Sequence, residues 1–134
     1  MEAKLKIEIP LNPDVVLSIL TTAHDANACN YFLMKQPEWL DYRWHQRMKA
    51  NHDLWNTFEW ILLVDDGSDV GEMQRITFAR MCWGLQKMLM DELLGKFKNP
   101  YHKVADVVAG NDYGDATFAQ EVIQYAMYGK LVFA

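Results

Sequence analysis

The sequence has few of the features that mark several large protein classes. It contains only two cysteines among 134 residues, Cys29 and Cys82. Two cysteines are too few for the disulfide framework of a small secreted domain or for a cysteine-rich zinc site. No apolar run approaches the roughly 20 residues that a membrane-spanning helix needs, and residues 1–4 lack the apolar character of a signal peptide. We therefore expect a cytoplasmic protein that has no membrane partner.

Basic residues are also scarce in this chain. The 13 Lys and Arg residues are outnumbered by 18 Asp and Glu residues, which gives a net charge of -5. Direct binding of duplex DNA needs a positive face and is not expected. Hydrophobic residues, in contrast, make up 51% of the chain and charged residues 23%, a balance that argues against disorder. The length then predicts one compact domain over residues 1–134.

Familiar catalytic and nucleotide-binding patterns are missing. The sequence contains no G-x-S-x-G, no P-loop and no G-x-G-x-x-G. His45 and His52 would share one face of a predicted helix, but no third ligand stands at a recognised metal-binding spacing. Cys82 lies between Met81 and Trp83 in another predicted helix, which is typical of a buried structural cysteine. We therefore expect no catalytic residue, no metal, no cofactor and no enzymatic activity.

The spacing of the apolar residues predicts both strands and helices. Strict alternation over residues 4–9, and apolar runs within residues 27–35 and 58–64, predict strands. Residues 71–76 would form a hairpin with residues 58–64, and residues 131–133 would add an edge strand. Helices are predicted over residues 13–24, 38–55, 78–94, 101–109 and 116–128. This order predicts an α+β domain, in which a small, mainly antiparallel sheet is packed with about five helices.

Local signals give the expected helix boundaries and the expected core. N-cap residues precede three of the helices, at Asn12, Thr77 and Asp115. Glycines that can end helices stand at Gly95, Gly110 and Gly129. The inward face of helix 78–94 would consist of Met81, Leu85, Met88 and Leu89. The residues expected to be mostly buried come from strands and helices alike: Ile19, Trp60, Leu62, Val64, Leu85 and Val122.

The most unusual stretch is residues 38–55, in which aromatic residues are interleaved with basic ones. Its Trp, Tyr and Arg side chains are of the types enriched at the energetic centres of protein interfaces. A second candidate surface is the acidic loop after the predicted strand 58–64, whose carboxylates suit a basic partner. The predicted partner-binding residues are Trp39, Tyr42, Arg43, Arg47, Asp65, Asp66, Asp69 and Glu72.

Other interpretations of these residues stay open. Trp44 and Trp55 could fill the core, and exposed aromatic residues of the same stretch could stack single-stranded bases. The acidic loop is also compatible with an ordinary hairpin turn. A pocket that contains Asn30, Tyr31 and Arg43 could bind a small molecule such as a signalling nucleotide.

A resemblance to a known group of proteins is concentrated in the C-terminal half. The motifs that carry it are Gly84-Leu85-Gln86, Tyr101-His102-Lys103-Val104-Ala105-Asp106, Gly110-Asn111-Asp112 and Asp115-Ala116-Thr117, followed by Gln124, Tyr128-Gly129 and a short apolar tail. In these segments the chain resembles a family of small proteins encoded by bacteriophages and prophages. The N-terminal half is similar more loosely, since Asn30-Tyr31-Phe32 stands where the family has Asn-Tyr-Trp. The family's preceding Glu-Gly-Gly is not kept.

The resemblance implies a phage or mobile-element origin and no established reaction. Accessory proteins of this kind commonly bind and disable host machinery, including CRISPR and other defence complexes. The resemblance therefore implies a non-enzymatic inhibitor of a host protein or ribonucleoprotein complex, such as an anti-CRISPR factor, in the cytoplasm of an infected bacterium. A small-molecule-binding protein and an enzyme of unrecognised type are the alternatives. An exposed face could also form a homodimer.

Overall fold

The computed structural model describes residues 3–6, 8–25, 32–34, 59–64 and 72–132. In chain order, their helices and strands are α1 (Pro13–Asp25), β1 (Phe32–Met34), β2 (Glu59–Val64), β3 (Glu72–Thr77), α2 (Phe78–Leu93), α3 (Val104–Val108) and α4 (Ala116–Tyr128). The strands pair antiparallel in the order β1-β2-β3. None of the helices in these ranges is long and apolar enough to span a membrane.

The hydrophobic core is built mainly from the apolar stripes of three helices. On α1 the stripe follows the i, i+3, i+4, i+7 spacing of one helix face, and its residues are buried: Val16, Ile19, Leu20 and Ala23. On α2 the buried residues are the four that the sequence predicts, Met81, Leu85, Met88 and Leu89. On α4 the buried apolar face contains Phe118, Ala119, Val122, Ile123, Tyr125 and Ala126. These three stripes pack against one another.

The fold-class prediction is wrong, because the described chain is mostly helical. We expected an α+β domain in which a small, mainly antiparallel sheet is packed with about five helices; four helices are seen in the described ranges. Among the described side chains, Ile76 is the only core residue that belongs to a strand. Three amphipathic helices bury their stripes against one another and supply most of the described core residues.

Both predicted terminal strands are also wrong where the structure describes them. Residues 3–6 and 8–10 adopt no strand conformation, and Leu5 is 90% exposed. An alternation of apolar and polar residues does not by itself form a strand, because the backbone N–H and C=O groups must also hydrogen-bond to a partner strand. After α4, Leu131 and Val132 form no strand either. The backbone N–H of Val132 instead donates to Gln124 Oε1 at 2.8 Å.

The predicted helix boundaries are confirmed where a side chain caps the backbone. Asn12 Oδ1 accepts from the N–H of Asp14 at 3.0 Å, and Thr77 Oγ1 accepts from the N–H of Arg80 at 3.1 Å. Asp115 Oδ1 likewise accepts from a backbone N–H at the start of α4. Each cap satisfies a donor that the first helical turn leaves without an intrahelical partner.

Helix α3 is shorter than the predicted helix 101–109. The preceding backbone turns around Asn99, whose Oδ1 accepts from the N–H groups of Tyr101 and His102 at 2.9 and 3.0 Å. These bonds hold the residues before Lys103 outside the helix. The predicted burial of Ile19, Leu85 and Val122 is confirmed. The side chains expected to be buried on β2, those of Trp60, Leu62 and Val64, lie outside the described part of the structure.

Helices α2 and α4 meet backbone to backbone at Gly84. A Cβ atom at residue 84 would lie 2.6 Å from both the Cα and the N of Ala126. Real Cβ atoms do not come so close to backbone atoms, so only glycine fits at this crossing. Next to it, Arg80 Nε donates to the carbonyl oxygen of Ala126 at 2.7 Å. Arg80 also stacks on the Trp83 ring, 3.8 Å from its centroid.

Replacing Gly84 with alanine tests this crossing. In an exposed helix a glycine-to-alanine change adds about 1 kcal/mol of stability. Here we expect Gly84→Ala to lower the free energy of unfolding by about 1–3 kcal/mol, because the methyl group overpacks the contact with Ala126. Urea denaturation followed by circular dichroism measures the difference. The control is Gln86→Ala, at an exposed position of α2, and a Gly84→Ala variant as stable as wild type would contradict the described crossing.

Truncation of Leu85 tests the buried face of α2. Leu85 is 2% exposed, so Leu85→Ala removes buried methyl groups and leaves a cavity. We expect a loss of roughly 2–5 kcal/mol in the free energy of unfolding. A loss below about 0.5 kcal/mol, the range typical of surface substitutions, would show that this face of α2 does not pack into the core.

Candidate functional site

An open cleft of about 830 Å³ lies between α1 and the end of α3. Its walls combine apolar, hydroxyl, amide and carboxylate side chains. The lining residues are Pro10, Asn12, Asp14, Val15, Leu17, Ser18, Thr21, Thr22, Val107, Val108, Ala109, Gly110, Asp112 and Tyr113. The volume falls within the roughly 300–1,000 Å³ that is usual for ligand-binding clefts.

The first wall follows from the amphipathic pattern of α1. Val16, Ile19 and Leu20 point into the core, so the intervening positions line the cleft on the other side of the helix. Among these, Ser18 is half-buried, and Thr21 Oγ1 donates to the carbonyl oxygen of Leu17 at 2.8 Å. The wall therefore alternates small hydroxyl groups with aliphatic surface.

The second wall is the C-terminal end of α3, which a side chain of α2 holds in place. Glu92 Oε1 accepts from the N–H of Val104 at 2.7 Å, and Glu92 Oε2 accepts from the N–H of Ala105 at 3.1 Å. The N-cap residue of α3, Lys103, makes no side-chain cap of its own. Glu92 thus supplies the missing cap from another helix. The helix ends before Gly110, whose φ of +81° suits glycine.

A histidine and two carboxylates hold the loop that completes this wall. His102 Nδ1 lies 2.8 Å from Asp112 Oδ2, and His102 Nε2 lies 3.2 Å from Asp115 Oδ2. The other oxygen of Asp112 accepts from the N–H of Gly114 at 2.9 Å. We call His102, Asp112 and Asp115 the histidine cluster. It ties a cleft-lining residue, Asp112, to the N-terminus of α4.

The pKa values within the histidine cluster are shifted by these contacts. The hydrogen bond to Asp112 raises the pKa of His102 above its usual value, although partial burial opposes the effect. The N–H of Gly114, and then His102, lower the pKa of Asp112. Close by, burial raises the pKa of Glu121, and Asn99 Nδ2 donates to Glu121 at 2.7 Å. Asp112 is therefore a carboxylate at neutral pH.

The arrangement is suited to binding. Both ring nitrogens of His102 already face carboxylates, and burial raises the pKa of the Cys82 thiol, which makes that thiol a weaker nucleophile. No group of three or more His, Cys, Asp or Glu in the described ranges is placed to hold a metal ion. The described lining residues offer a ligand carboxylate and hydroxyl groups, an aliphatic wall and the exposed ring of Tyr113.

Nearly all of the sequence-predicted site residues lie outside the part of the chain that the structure describes. The partner-binding candidates outside the described residues are Trp39, Tyr42, Arg43, Arg47, Asp65, Asp66 and Asp69. The alternative ligand-binding residues Asn30 and Tyr31 also lie outside them. Glu72 begins β3, where it pairs across from Val64. The structure therefore does not test these predictions.

Sequence reasoning missed both the cleft and the histidine cluster. A signal was present, because His102, Asp112 and Asp115 all stand near the ends of predicted helices. Polar side chains at such places are candidates for contacts that hold a loop against a helix end. Asp14 gave no such signal, since an acidic residue in the first turn of a helix is common.

Comparison with known proteins adds no family assignment: no model of a protein family, no curated protein and no solved structure matches this chain.

The histidine cluster makes stability depend on pH. A histidine whose pKa is raised by folding stabilises the protein fully below its unfolded-state pKa of about 6.5, and this stabilisation is lost as pH rises through the folded-state pKa. The groups that face the ring are Asp112, Asp115 and the more distant Glu121. We therefore expect the free energy of unfolding of wild type to fall as the pH rises above about 6.5 and through the raised pKa of His102.

His102→Gln removes the titrating ring and should flatten this part of the pH profile. Urea denaturation at a series of pH values measures the slope for each protein. Lys103→Gln, at the next and exposed position, is the control and should keep the wild-type slope. If the free energy of unfolding depends on pH in His102→Gln as it does in wild type, the pH dependence does not come from the histidine.

Proposed function

We propose that this protein is a non-enzymatic, phage-encoded accessory protein that binds and inhibits a host protein or ribonucleoprotein complex, as an anti-CRISPR or another anti-defence factor does. The proposed phage origin rests on the resemblance of the C-terminal motifs to proteins encoded by bacteriophages and prophages. The proposal assigns binding, and no reaction, to the cleft between α1 and the end of α3.

The observation that supports binding is the cleft itself. It is large and open, and its walls are held from three sides, by the cap of α1, by Glu92 and by the histidine cluster. Preorganised walls reduce the entropy that is lost when a partner binds. A cleft whose walls are fixed in advance suits a protein whose activity is to hold a partner.

A small-molecule-binding protein is the second candidate, and the volume of the cleft favours it equally. A signalling nucleotide, however, carries phosphate groups, which bind to Lys, Arg or helix N-terminal N–H donors. The N-terminus of α1 lines the cleft, but Asn12 Oδ1 already accepts from the N–H of Asp14, and the acidic Asp14 in this first turn disfavours an anion. No Lys, Arg or His belongs to the described residues that line the cleft. The charge of the cleft therefore favours a protein partner over a nucleotide.

A variant that fills the cleft tests the proposed function. Ser18 is half-buried on the α1 wall, and Ser18→Trp would occupy the space between the two walls. Tagged wild type and variant are incubated with a bacterial host lysate, and the captured proteins are quantified by mass spectrometry. We expect wild type to retain a host protein in stoichiometric amount and Ser18→Trp to lose at least about 1.4 kcal/mol of binding, a tenfold drop in affinity.

The matched control is Ala79→Trp, which adds the same side chain at an exposed position of α2 outside the cleft. It should capture the host protein as wild type does. Circular dichroism and thermal unfolding show whether both variants keep the fold. Equal capture by wild type and a folded Ser18→Trp would place the interface elsewhere.

A further inference from the structure

One imidazole ring closes a turn in the wall of the cleft. The carboxylates of Asp112 and Asp115 stand three residues apart, and the ring of His102 contacts one with each of its nitrogens, at 2.8 and 3.2 Å. The turn that these carboxylates bracket contains Tyr113 and Gly114. Asp112 and Tyr113 line the cleft, whereas Asp115 caps α4. The ring therefore links the cleft wall to α4.

Only the protonated ring of His102 can donate to both carboxylates. An imidazolium has two N–H groups, whereas a neutral imidazole has one N–H group and one nitrogen lone pair. When the ring loses a proton, one of the two contacts sets this lone pair against a carboxylate oxygen. Such a contact is repulsive, so only one of the two hydrogen bonds survives deprotonation.

The contact with Asp115 is the one that the neutral ring should lose. The contact with Asp112 is the shorter hydrogen bond, and the Asp112 side chain is 28% exposed against 46% for Asp115. A less exposed carboxylate loses more when its donor leaves, because water replaces the donor less well. The proton of the neutral ring therefore stays on Nδ1, which is not the tautomer that predominates in free histidine. Helix α4 keeps its cap, since Asp115 Oδ1 still accepts from the N–H of Phe118.

The described groups around the ring all favour its protonated form. Asp112 and Asp115 face the two ring nitrogens, and together they raise the pKa of His102. Glu121 of α4 acts on the ring from a greater distance. The other described contact of the ring is uncharged, because the edge of Phe118 packs against it with the ring centroids 6.1 Å apart. The charge of the ring thus depends on three carboxyl groups.

We infer that His102 is a pH-sensitive clasp, which holds the turn between Asp112 and Asp115 closed while the ring is protonated and releases Asp115 when the proton leaves. With the clasp closed, the cleft wall is fixed to α4. With the clasp open, the ring holds the turn at one end only. A looser wall loses more entropy when a partner orders it, so binding in the cleft weakens as the pH rises. This effect on a partner rests on the proposed function, whereas the clasp itself does not.

Nuclear magnetic resonance of the ¹⁵N-labelled full chain identifies the tautomer of the neutral ring. The pH is raised from about 5 to about 9, a range that brackets the usual histidine pKa. A ring nitrogen that loses its proton shifts far downfield, and comparison with His102→Gln assigns the signals. We expect Nε2 of His102 to make this shift while Nδ1 keeps its proton. A neutral ring with the proton on Nε2, or a ring whose charge does not change in this range, would overturn the clasp.

The backbone amide of Gly114 reports on the turn itself. Its N–H donates to Asp112 Oδ1 inside the bracketed turn, so hydrogen exchange, corrected for the intrinsic effect of pH, measures how firmly the turn is closed. We expect the protection of Gly114 to drop at least about threefold as His102 loses its proton. In His102→Gln the protection should not depend on pH. Constant protection of Gly114 in wild type would contradict the inference.

Asp115→Asn separates the clasp from a general effect of charge. Asparagine is an equally good N-cap residue, and its amide N–H donates where the carboxylate accepted, so it pairs with the neutral ring. We expect the pKa of His102 to fall by about 0.5 or more and the protection of Gly114 no longer to drop as the pH rises. The matched control is Asp106→Asn, an exposed carboxylate of α3 outside the histidine cluster, which should behave as wild type. Equal behaviour of the two variants would show that Asp115 is not part of a clasp.

The effect on a partner is tested by capture from the host lysate at about pH 6 and about pH 8, on both sides of the usual histidine pKa. We expect wild type to capture the host protein at least about threefold less at the higher pH, and His102→Gln to show no such difference. Equal capture by wild type at both values would overturn the link between the clasp and binding. The absence of any captured protein would overturn the proposed function, and the clasp would still be decided by the measurements on the free chain.

Discussion

The contact between Gly84 on α2 and Ala126 on α4 is the constraint on which the described structure depends. With no side chain at residue 84, the two helix backbones approach until a Cβ atom would have no room. Close approach brings the two apolar stripes together, and it brings Tyr125 within reach of Asp91, to which the Tyr125 hydroxyl donates at 2.9 Å. Dispersion contacts accumulate over such an interface, although each is small.

Both walls of the cleft take their positions from this helix pair. Glu92, near the end of α2, caps α3, and Asp115, at the start of α4, holds His102 and through it Asp112. Helix α1 then covers the opposite side by burying its stripe in the same core. The cleft is thus formed by elements far apart in sequence, which the packing of α2 and α4 holds in place.

The parts of this structure that the sequence predicted correctly are those that depend on neighbouring residues. Asn12, Thr77 and Asp115 cap helices through bonds to residues two or three positions away, so local pattern suffices. The expected strand over residues 4–9 failed because a strand also needs a distant partner. The fold class failed for a related reason, since the mutual packing of three helices depends on non-local contacts such as that of Gly84. The cleft joins Asp14 to Asp112, and nothing in their local sequence brings them together.

The central claim is that the cleft between α1 and the end of α3 binds a host partner, and nuclear magnetic resonance tests it most directly. The ¹⁵N-labelled full chain is titrated with the purified host protein that the tagged chain captures, while the backbone amide signals are followed. Binding in the cleft predicts that the signals of Ser18, Thr22, Gly110 and Tyr113 shift together and saturate with one dissociation constant, while those of Ala79 and Gln86 on the exposed surface of α2 stay in place. Shifts that are confined to α2, or that spread evenly over the chain, would contradict the account.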